Sequence, residues 1–403
     1  MDRIVLHCDL NCFYASVELL SRPDLKDVPV AVCGDPTSRH GIILAKNELA
    51  KQCGVATAET IWQAKKKCPD LVLLPPHHDL YHVYSKKVNA IYTEYTDLVE
   101  PFGIDESWLD ITGSCHLFGG DPVKVADEIR NRVRTELGLT LSVGVSFNKV
   151  FAKLGSDYKK PDATTLISRE NWKEIVYPLS IRDLLFVGRA AAKVLNRYGV
   201  YTIGELAAFP TETLEELFGK LGLQLHEYAA GQEHAPVRSW YEPETVKSVG
   251  NSTTYRHNLT TRDAVRTGIS LLADSVAMRL RHHGLYCSGV QITVKDANFK
   301  SITRQKQLSS STHLMKDISQ AAMELIEAAW TPPNPIRLLG VTAINLTEAP
   351  ETYEQMDLLS GSKTKQNEKQ EKVEKAMDAI RARFGSAAIS YGTAKNLDKD
   401  DSV

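Results

Sequence analysis

The chain has 403 residues, 48 basic against 50 acidic side chains, and a formal net charge of −2. That length allows two to four domains, and 43% hydrophobic with 24% charged residues reads as soluble and globular. No apolar run nears the ~20 residues of a membrane helix, Met1-Asp2-Arg3 is unlike a signal peptide, and seven cysteines without CxxC spacing argue against disulfides or zinc, so a reducing cytoplasm is the expected compartment.

In chain order, residues 3–10 read as a buried strand that contains Asp9. A carboxylate inside such a run is costly unless paired, hydrogen-bonded or bound to metal. A helix follows from residue 15 to 20, a strand at 28–33 and a loop at 35–41. Residues 42–53 pass from strand to helix, with Gly54 as the C-cap. A basic helix at 61–67 and a strand at 71–74, stopped by Pro75-Pro76, close this stretch. Tyr81, Tyr84, Val88, Ile91, Tyr92 and Tyr95 recur at helical spacing, a stripe that reads as core. Strands at 99–102 and 107–111 meet at the turn carrying Asp105-Glu106; a helix at 123–136 and a strand at 140–145 follow. The order strand, helix, hairpin, helix, strand predicts a split βαββαβ sheet, with 11–77 inserted after its first strand.

Residues 169–233 read as short helices with glycine turns. The part from 181 to 198, around Val187-Gly188-Arg189, looks like a helix-hairpin-helix, whose backbone N–H groups can bind phosphate. A proline-containing linker spans 234–245. Strands at 246–255, 288–294, 301–308 and 336–346, with helices at 263–282 and 315–329, predict an α+β module. Its basic residues outnumber its acids, a charge distribution suited to a phosphate backbone. Beyond residue 350 the sequence is polar, and helix-prone to about Phe384.

Asp105 and Glu106 repel as neighbours, and a fold that juxtaposes them supplies a cation. With Asp9 they form an oxygen-only set that suits Mg²⁺ and two-metal phosphoryl or nucleotidyl transfer.

The motifs that carry a family resemblance are four. Cys8-Asp9-Leu10-Asn11-Cys12-Phe13-Tyr14-Ala15-Ser16-Val17-Glu18 resembles the opening motif of the Y-family translesion DNA polymerases, the bacterial DNA polymerase IV group. Phe102-Gly103-Ile104-Asp105-Glu106-Ser107-Trp108-Leu109-Asp110 is similar to their second motif, and Ser142 through Lys153 to their third. Lys159-Lys160-Pro161 follows in register.

The resemblance implies an α+β right-hand polymerase with a ferredoxin-like βαββαβ palm. It implies a palm at 1–10 and 78–168, fingers at 11–77, a helical thumb at 169–233, a linker at 234–245, a little finger at 246–350 and a tail at 351–403. It implies catalysis by Asp9, Asp105 and Glu106, which with the Leu10 carbonyl hold two Mg²⁺ ions. Tyr14 is implied as the steric gate against ribonucleotides, with Cys12, Phe13, Tyr14, Ala45, Lys51 and Lys160 around the nucleotide. Gly188, Arg189, Ser248, Arg256 and Arg304 are implied DNA contacts. The expected partners are primer-template DNA, a dNTP and a sliding clamp, the last through Gln355, Met356, Leu358 and Leu359, and the chain is expected to be a monomer. The fingers depart from the family pattern of hydroxyl residue, Tyr and Arg: Ala45, Glu48 and Lys51 stand there. Two other readings compete: a nucleotidyl cyclase, and a catalytically silent DNA- and clamp-binding protein.

Overall fold

In the computed structural model, which describes residues 2–35, 41–242, 245–348, 361–385 and 388–392, strand β1 (Val5–Leu10) is buried at every position. Side chains alternate across a strand, so β1 serves two layers. Leu6, Cys8 and Leu10 enter a core shared with Tyr81, Ile91, Val125 and Ile129, from the helices His78–Thr93 and Pro122–Leu137. Val5 packs with Trp108 and Ala152 on the other face, which leaves His7 and Asp9 directed toward the helix Lys149–Tyr158.

The chain then makes a small sheet of β2 (Val30–Cys33), β3 (Ile43–Lys46) and β4 (Val72–Leu74), in the order β3-β2-β4. Asn47 starts the helix Glu48–Gln52: its side-chain oxygen accepts from the Ala50 N–H at 3.0 Å and from the Val30 N–H at 3.0 Å. Thr60 and Gln63 form a reciprocal capping box at the head of Ile61–Lys67.

The main sheet is completed by β5 (Val99–Pro101), β6 (Glu106–Asp110), β7 (Leu141–Ser146) and β8 (Thr164–Ile167), in the order β5-β6-β1-β7-β8. β1 runs antiparallel to both β6 and β7. This is the ferredoxin-like arrangement that the element order predicts, with β8 added parallel to β7. The sequence reading has no strand at β8, which is four residues long and has too few alternating positions to announce itself.

Lys149–Tyr158 lies on β7 at glycine contact. A Cβ on Gly144 would sit 1.8 Å from the Ala152 carbonyl oxygen, and one on Gly155 would sit 2.9 Å from the Gly144 Cα. Asn148 caps this helix through the Phe151 N–H at 2.7 Å. Five helices of five to ten residues follow, from Trp172–Val176 to Lys220–Ala229, around Phe151, Leu154, Leu195, Ile203, Leu214 and Leu225. The expected helix-hairpin-helix has one full helix only. Ile181–Asp183 is a single 3₁₀ turn, and Gly188 caps Arg189–Arg197.

The chain divides into two compact units, Met1–Pro243 and Glu244–Val403. In the second, β9 (Ser248–Leu259), β10 (Tyr286–Asp296), β11 (Ser301–Thr312) and β12 (Ile336–Thr347) form an antiparallel sheet in the order β11-β10-β12-β9. Helices Arg262–His282 and Met315–Ala329 share its core through Ile269, Val276, Ile318 and Ile326. The stretch that reads as helix-prone to about Phe384 forms the helix Gly361–Phe384, and that helix is docked. Buried Arg281 pairs with Glu374 and lies 2.7 Å from Asp378, while Arg381 lies 2.7 Å from Asp274. Ion pairs dominate the contact and Met377 is a buried apolar residue within it, so no apolar stripe marks it in the sequence.

Gly144→Ala should destabilise the first unit by roughly 3 kcal/mol, the upper range for overpacking, because backbone and not a flexible side chain blocks the added methyl. Urea unfolding of the full chain reads this, and a wild-type midpoint would contradict the close helix–strand contact.

Candidate active site

β1 and β6 place two acids directly opposite each other: Asp9 pairs with Glu106 in the antiparallel register. The Leu10 N–H donates to the Asp105 carbonyl at 3.0 Å and ties the turn to β1. His7, two residues before Asp9, faces the same way. Ligand-type atoms of His7, Asp9 and Glu106 all lie within 4.8 Å of one another. Asp105 precedes β6 and adjoins this cluster without being part of it.

The helix Lys149–Tyr158, on the face that these acids share, and the residues just after it supply cations. Lys160 Nζ is 2.6 Å from Asp9 Oδ2 and 2.7 Å from Asp157 Oδ1. Lys153 donates to Glu106. Burial pushes the Asp9 carboxyl up to about 6 against the opposing pull of Lys160. Burial and the neighbouring Glu106 charge raise Asp105. Burial would also raise Glu106, but hydrogen bonds from His7 and Lys153 outweigh it and hold that group at about 2. Lys160 is shared between Asp9 and Asp157, and it does not offset the burial of Asp9. Carboxylate oxygens in such a place fit a hard divalent cation.

His7 is the site residue that sequence reasoning missed. It is fully buried, its Nδ1 is 2.8 Å from Ser156 Oγ, and its Nε2 is 3.3 Å from Glu106 Oε2. Burial lowers it to about 4, so it is neutral at pH 7 and orients Glu106 from behind. Period two along β1 was the available signal, since residues 5, 7 and 9 share a face.

Of the other predicted nucleotide residues, Cys12, Phe13 and Tyr14 follow the end of β1, while Ala45 lies on β3 and Lys51 in the helix Glu48–Gln52. Cys12 has φ 50 and makes a left-handed turn into the helix Phe13–Leu20. No side chain caps that helix, which leaves its first-turn N–H groups for an anion. The Cys12 thiol donates instead to Glu48 Oε1 at 3.3 Å. Glu48 thus points back at this turn, with Lys51 at 3.5 Å. Ala45 lies half-buried on β3, and Lys46 donates to Thr57 Oγ1 at 3.0 Å. Tyr14 stacks on Tyr81 with ring centroids 4.0 Å apart and 13° between planes.

Of the predicted DNA contacts, Gly188 and Arg189 are exposed at a helix start, and Ser248 and Arg256 are exposed on β9. Arg304 is exposed too, but it pairs with buried Ile292 and so lies on the helix-bearing side of the second sheet, at its edge. The opposite face carries Ser252, Thr254, Gln291, Thr293, Thr303 and Gln305, a hydroxyl and amide surface that counting basic residues does not reveal. Gln355, Met356, Leu358 and Leu359 lie outside the described residues.

Comparison with known proteins agrees with the motifs. The impB/mucB/samB family pattern matches residues 8–157, and the C-terminal domain pattern of that family matches 246–358. The DNA polymerase IV of Acetivibrio thermocellus is 46% identical over 392 residues, 97% of each chain. DNA polymerase IV 1 of Bacillus subtilis is 37% identical over 404 residues, covering 100% of this chain and 95% of the relative. A solved Y-family DNA polymerase chimera superposes with a TM-score of 0.75 at 21% identity, over 86% of this chain and 100% of its own. At that identity the superposition speaks for the fold.

The two raised and lowered acids give opposite pH signatures. Asp9 titrates above its usual 3.8, so its contribution to stability is full below 3.8 and is lost as pH rises through about 6. Glu106 titrates below its usual 4.5, so its contribution is full above 4.5 and is lost as pH falls through about 2. An ion held by Asp9 would need that carboxyl ionised. Mn²⁺ affinity should therefore fall as pH drops through about 6, with a proton released on binding near that pH. Calorimetry in buffers of different ionisation heat measures both, and an affinity constant between pH 7 and pH 5 would contradict the assignment.

Proposed function

Because the chain belongs to the impB/mucB/samB family, the Y-family polymerases of the DNA polymerase IV group, we propose that the Asp9–Glu106 site extends a primer 3′-hydroxyl with dNTPs by two-metal nucleotidyl transfer. The chain is a translesion DNA polymerase, a DNA-directed nucleotidyltransferase, whose substrates are DNA and nucleotides. The observation that carries the mechanism is the pairing of Asp9 with Glu106 across β1 and β6, with Asp105 beside them.

Divalent metal use goes with the family, and the all-oxygen donors favour Mg²⁺. Asp9 and Asp105, with the Leu10 carbonyl, would hold the ion that takes the triphosphate; Asp9, Asp105 and Glu106 would hold the one at the primer end. Bound there, the pair would make the 3′-hydroxyl a better nucleophile and neutralise the leaving pyrophosphate. With an ion on Asp9, Lys160 would be free to offer its ammonium to the β- and γ-phosphates. The N–H groups of Cys12 and Phe13 receive phosphate oxygens at the start of an uncapped helix. Lys51 adds a point charge without the fork an arginine would bring. Tyr14 closes the sugar side against a 2′-hydroxyl.

Small residues at Ala45, Thr57 and Ala58 leave room over the template base, which goes with low fidelity and damage bypass. Proofreading needs a second acidic centre, and the sequence offers none. Gly188, Arg189, Ser248, Arg256 and Arg304 would contact DNA, with Arg304 reaching it from the edge of the second sheet, and the polar face of that sheet would add hydroxyl and amide contacts. Gln355, Met356, Leu358 and Leu359 would bind a sliding clamp as a short peptide in an apolar pocket. Among the described residues no helix is long and apolar enough to cross a membrane, and a cytoplasmic monomer is the state proposed.

One observation favours a second reading, a weak or silent DNA- and clamp-binding protein. Glu48 faces Cys12, so its charge stands where a triphosphate would approach. Primer extension separates the two.

Asp105→Ala or Glu106→Ala should abolish Mg²⁺-dependent extension while primer-template affinity stays within about twofold, since neither acid can attract phosphate by itself. Equal loss of extension and DNA binding would count against catalysis by these groups. Deleting residues 355–359 should lower clamp-stimulated synthesis and spare basal extension; an unchanged clamp response would remove the motif from the account.

A further inference from the structure

Glu18 is a buried carboxylate, its side chain only 7% exposed, and nothing in the transfer chemistry uses it. It lies one helical turn after Tyr14, on the same face of Phe13–Leu20. Such a group is costly to bury unless its oxygens are engaged, and here both are. Oε1 accepts from the Tyr81 phenol and, at 3.2 Å, from the His77 N–H. His77 Nδ1 lies 2.9 Å from Oε1 and 3.0 Å from Oε2.

Tyr81, the first residue of the aromatic stripe in the helix His78–Thr93, is fully buried. Its ring is the one stacked on Tyr14. His78 stands edge-on to both rings, at 5.8 Å from Tyr14 and 5.7 Å from Tyr81. Phe13 closes a further side, 5.8 Å from Tyr14. The plane of Tyr14 is therefore set by Tyr81, and the far end of Tyr81 is set by Glu18. A ring that excludes a single hydroxyl must be stiff, because a displacement of about 1 Å is enough to lose a steric contact.

We propose that Glu18 is a positioning residue for sugar selection: by anchoring the Tyr81 phenol, it holds the Tyr14 ring rigid against the incoming sugar. The inference rests on the reading of Tyr14 as the gate, and it assigns a task to a side chain that touches neither nucleotide nor metal.

The test uses the full chain on primer-template DNA, comparing single-turnover insertion of a dNTP and of the ribonucleotide with the same base. Glu18→Ala should lower the dNTP-over-ribonucleotide ratio about tenfold, the order expected for losing a hydrogen bond to a charged group. Tyr81→Phe keeps the ring and removes only the phenol oxygen; it should lower the ratio likewise, and it carries the test if Glu18→Ala fails to fold. Glu18→Gln retains an acceptor for the phenol and should restore most of the ratio. Tyr14→Ala should remove discrimination, and adding Glu18→Ala to it should change the ratio no further. Equal slowing of both nucleotides in Glu18→Ala and Tyr81→Phe, with the ratio intact, would show a structural role and overturn the proposal while leaving Tyr14 as the gate. An intact ratio in Tyr14→Ala would overturn the gate reading itself, and the proposal with it.

Discussion

The pairing register between β1 and β6 is the constraint from which the rest follows. Opposed residues share a face, so setting Asp9 against Glu106 brings both carboxylates to one side of a buried sheet. A slip of one residue would turn one strand's side chains over. Asp9 would then face Glu106 through the sheet, and no ion could reach both. The register is held by apolar burial on the other face, where Leu6, Cys8 and Leu10 meet Leu109, Ile91 and Ile129. The core that makes the sheet stable is thus also what aligns the acids.

Electrostatics then follows from geometry. Acids this close repel, and the protein answers with Lys153 on Glu106 and Lys160 on Asp9. The answer is incomplete at Asp9, which stays raised to about 6. A carboxylate under that strain gains from a second cation, and a lysine that already pairs with Asp157 has a place to retreat to when one arrives. His7 acts on the same balance from the same face of the sheet, since its neutral ring orients Glu106 without adding charge. The glycine contact between β7 and the helix Lys149–Tyr158 brings Lys153 and Asp157 within reach of β1.

Much of this was legible in the chain. The apolar run around Asp9 and the Asp105-Glu106 turn between two short strands carry strong local signals, because burial and period two are written residue by residue. The order of elements was enough to give the sheet, and family motifs narrowed the chemistry. What stayed hidden depends on partners far apart in sequence. His7 looked like one more residue of a buried run until Ser156 and Glu106 were placed around it. The docking of Gly361–Phe384 rests on Arg281, Glu374, Asp378 and Arg381, charged residues that read as solvent-facing when taken singly. Whether Glu48 points outward or toward Cys12 is a side-chain choice that no periodicity reports. Helical spacing reads Tyr81 as core, which it is, but its stack on Tyr14 is a tertiary fact.

On the proposed mechanism, Asp9, Asp105 and Glu106 together would hold two divalent ions around an incoming nucleotide. Anomalous diffraction from Mn²⁺ in crystals of the chain with primer-template and a non-hydrolysable dNTP tests it most directly. The account predicts two peaks, both within coordination distance of Asp9, one reaching the triphosphate and the other Glu106 and the primer end. Peaks that leave Asp9 uncoordinated, with Lys160 still bound to it, would contradict the claim.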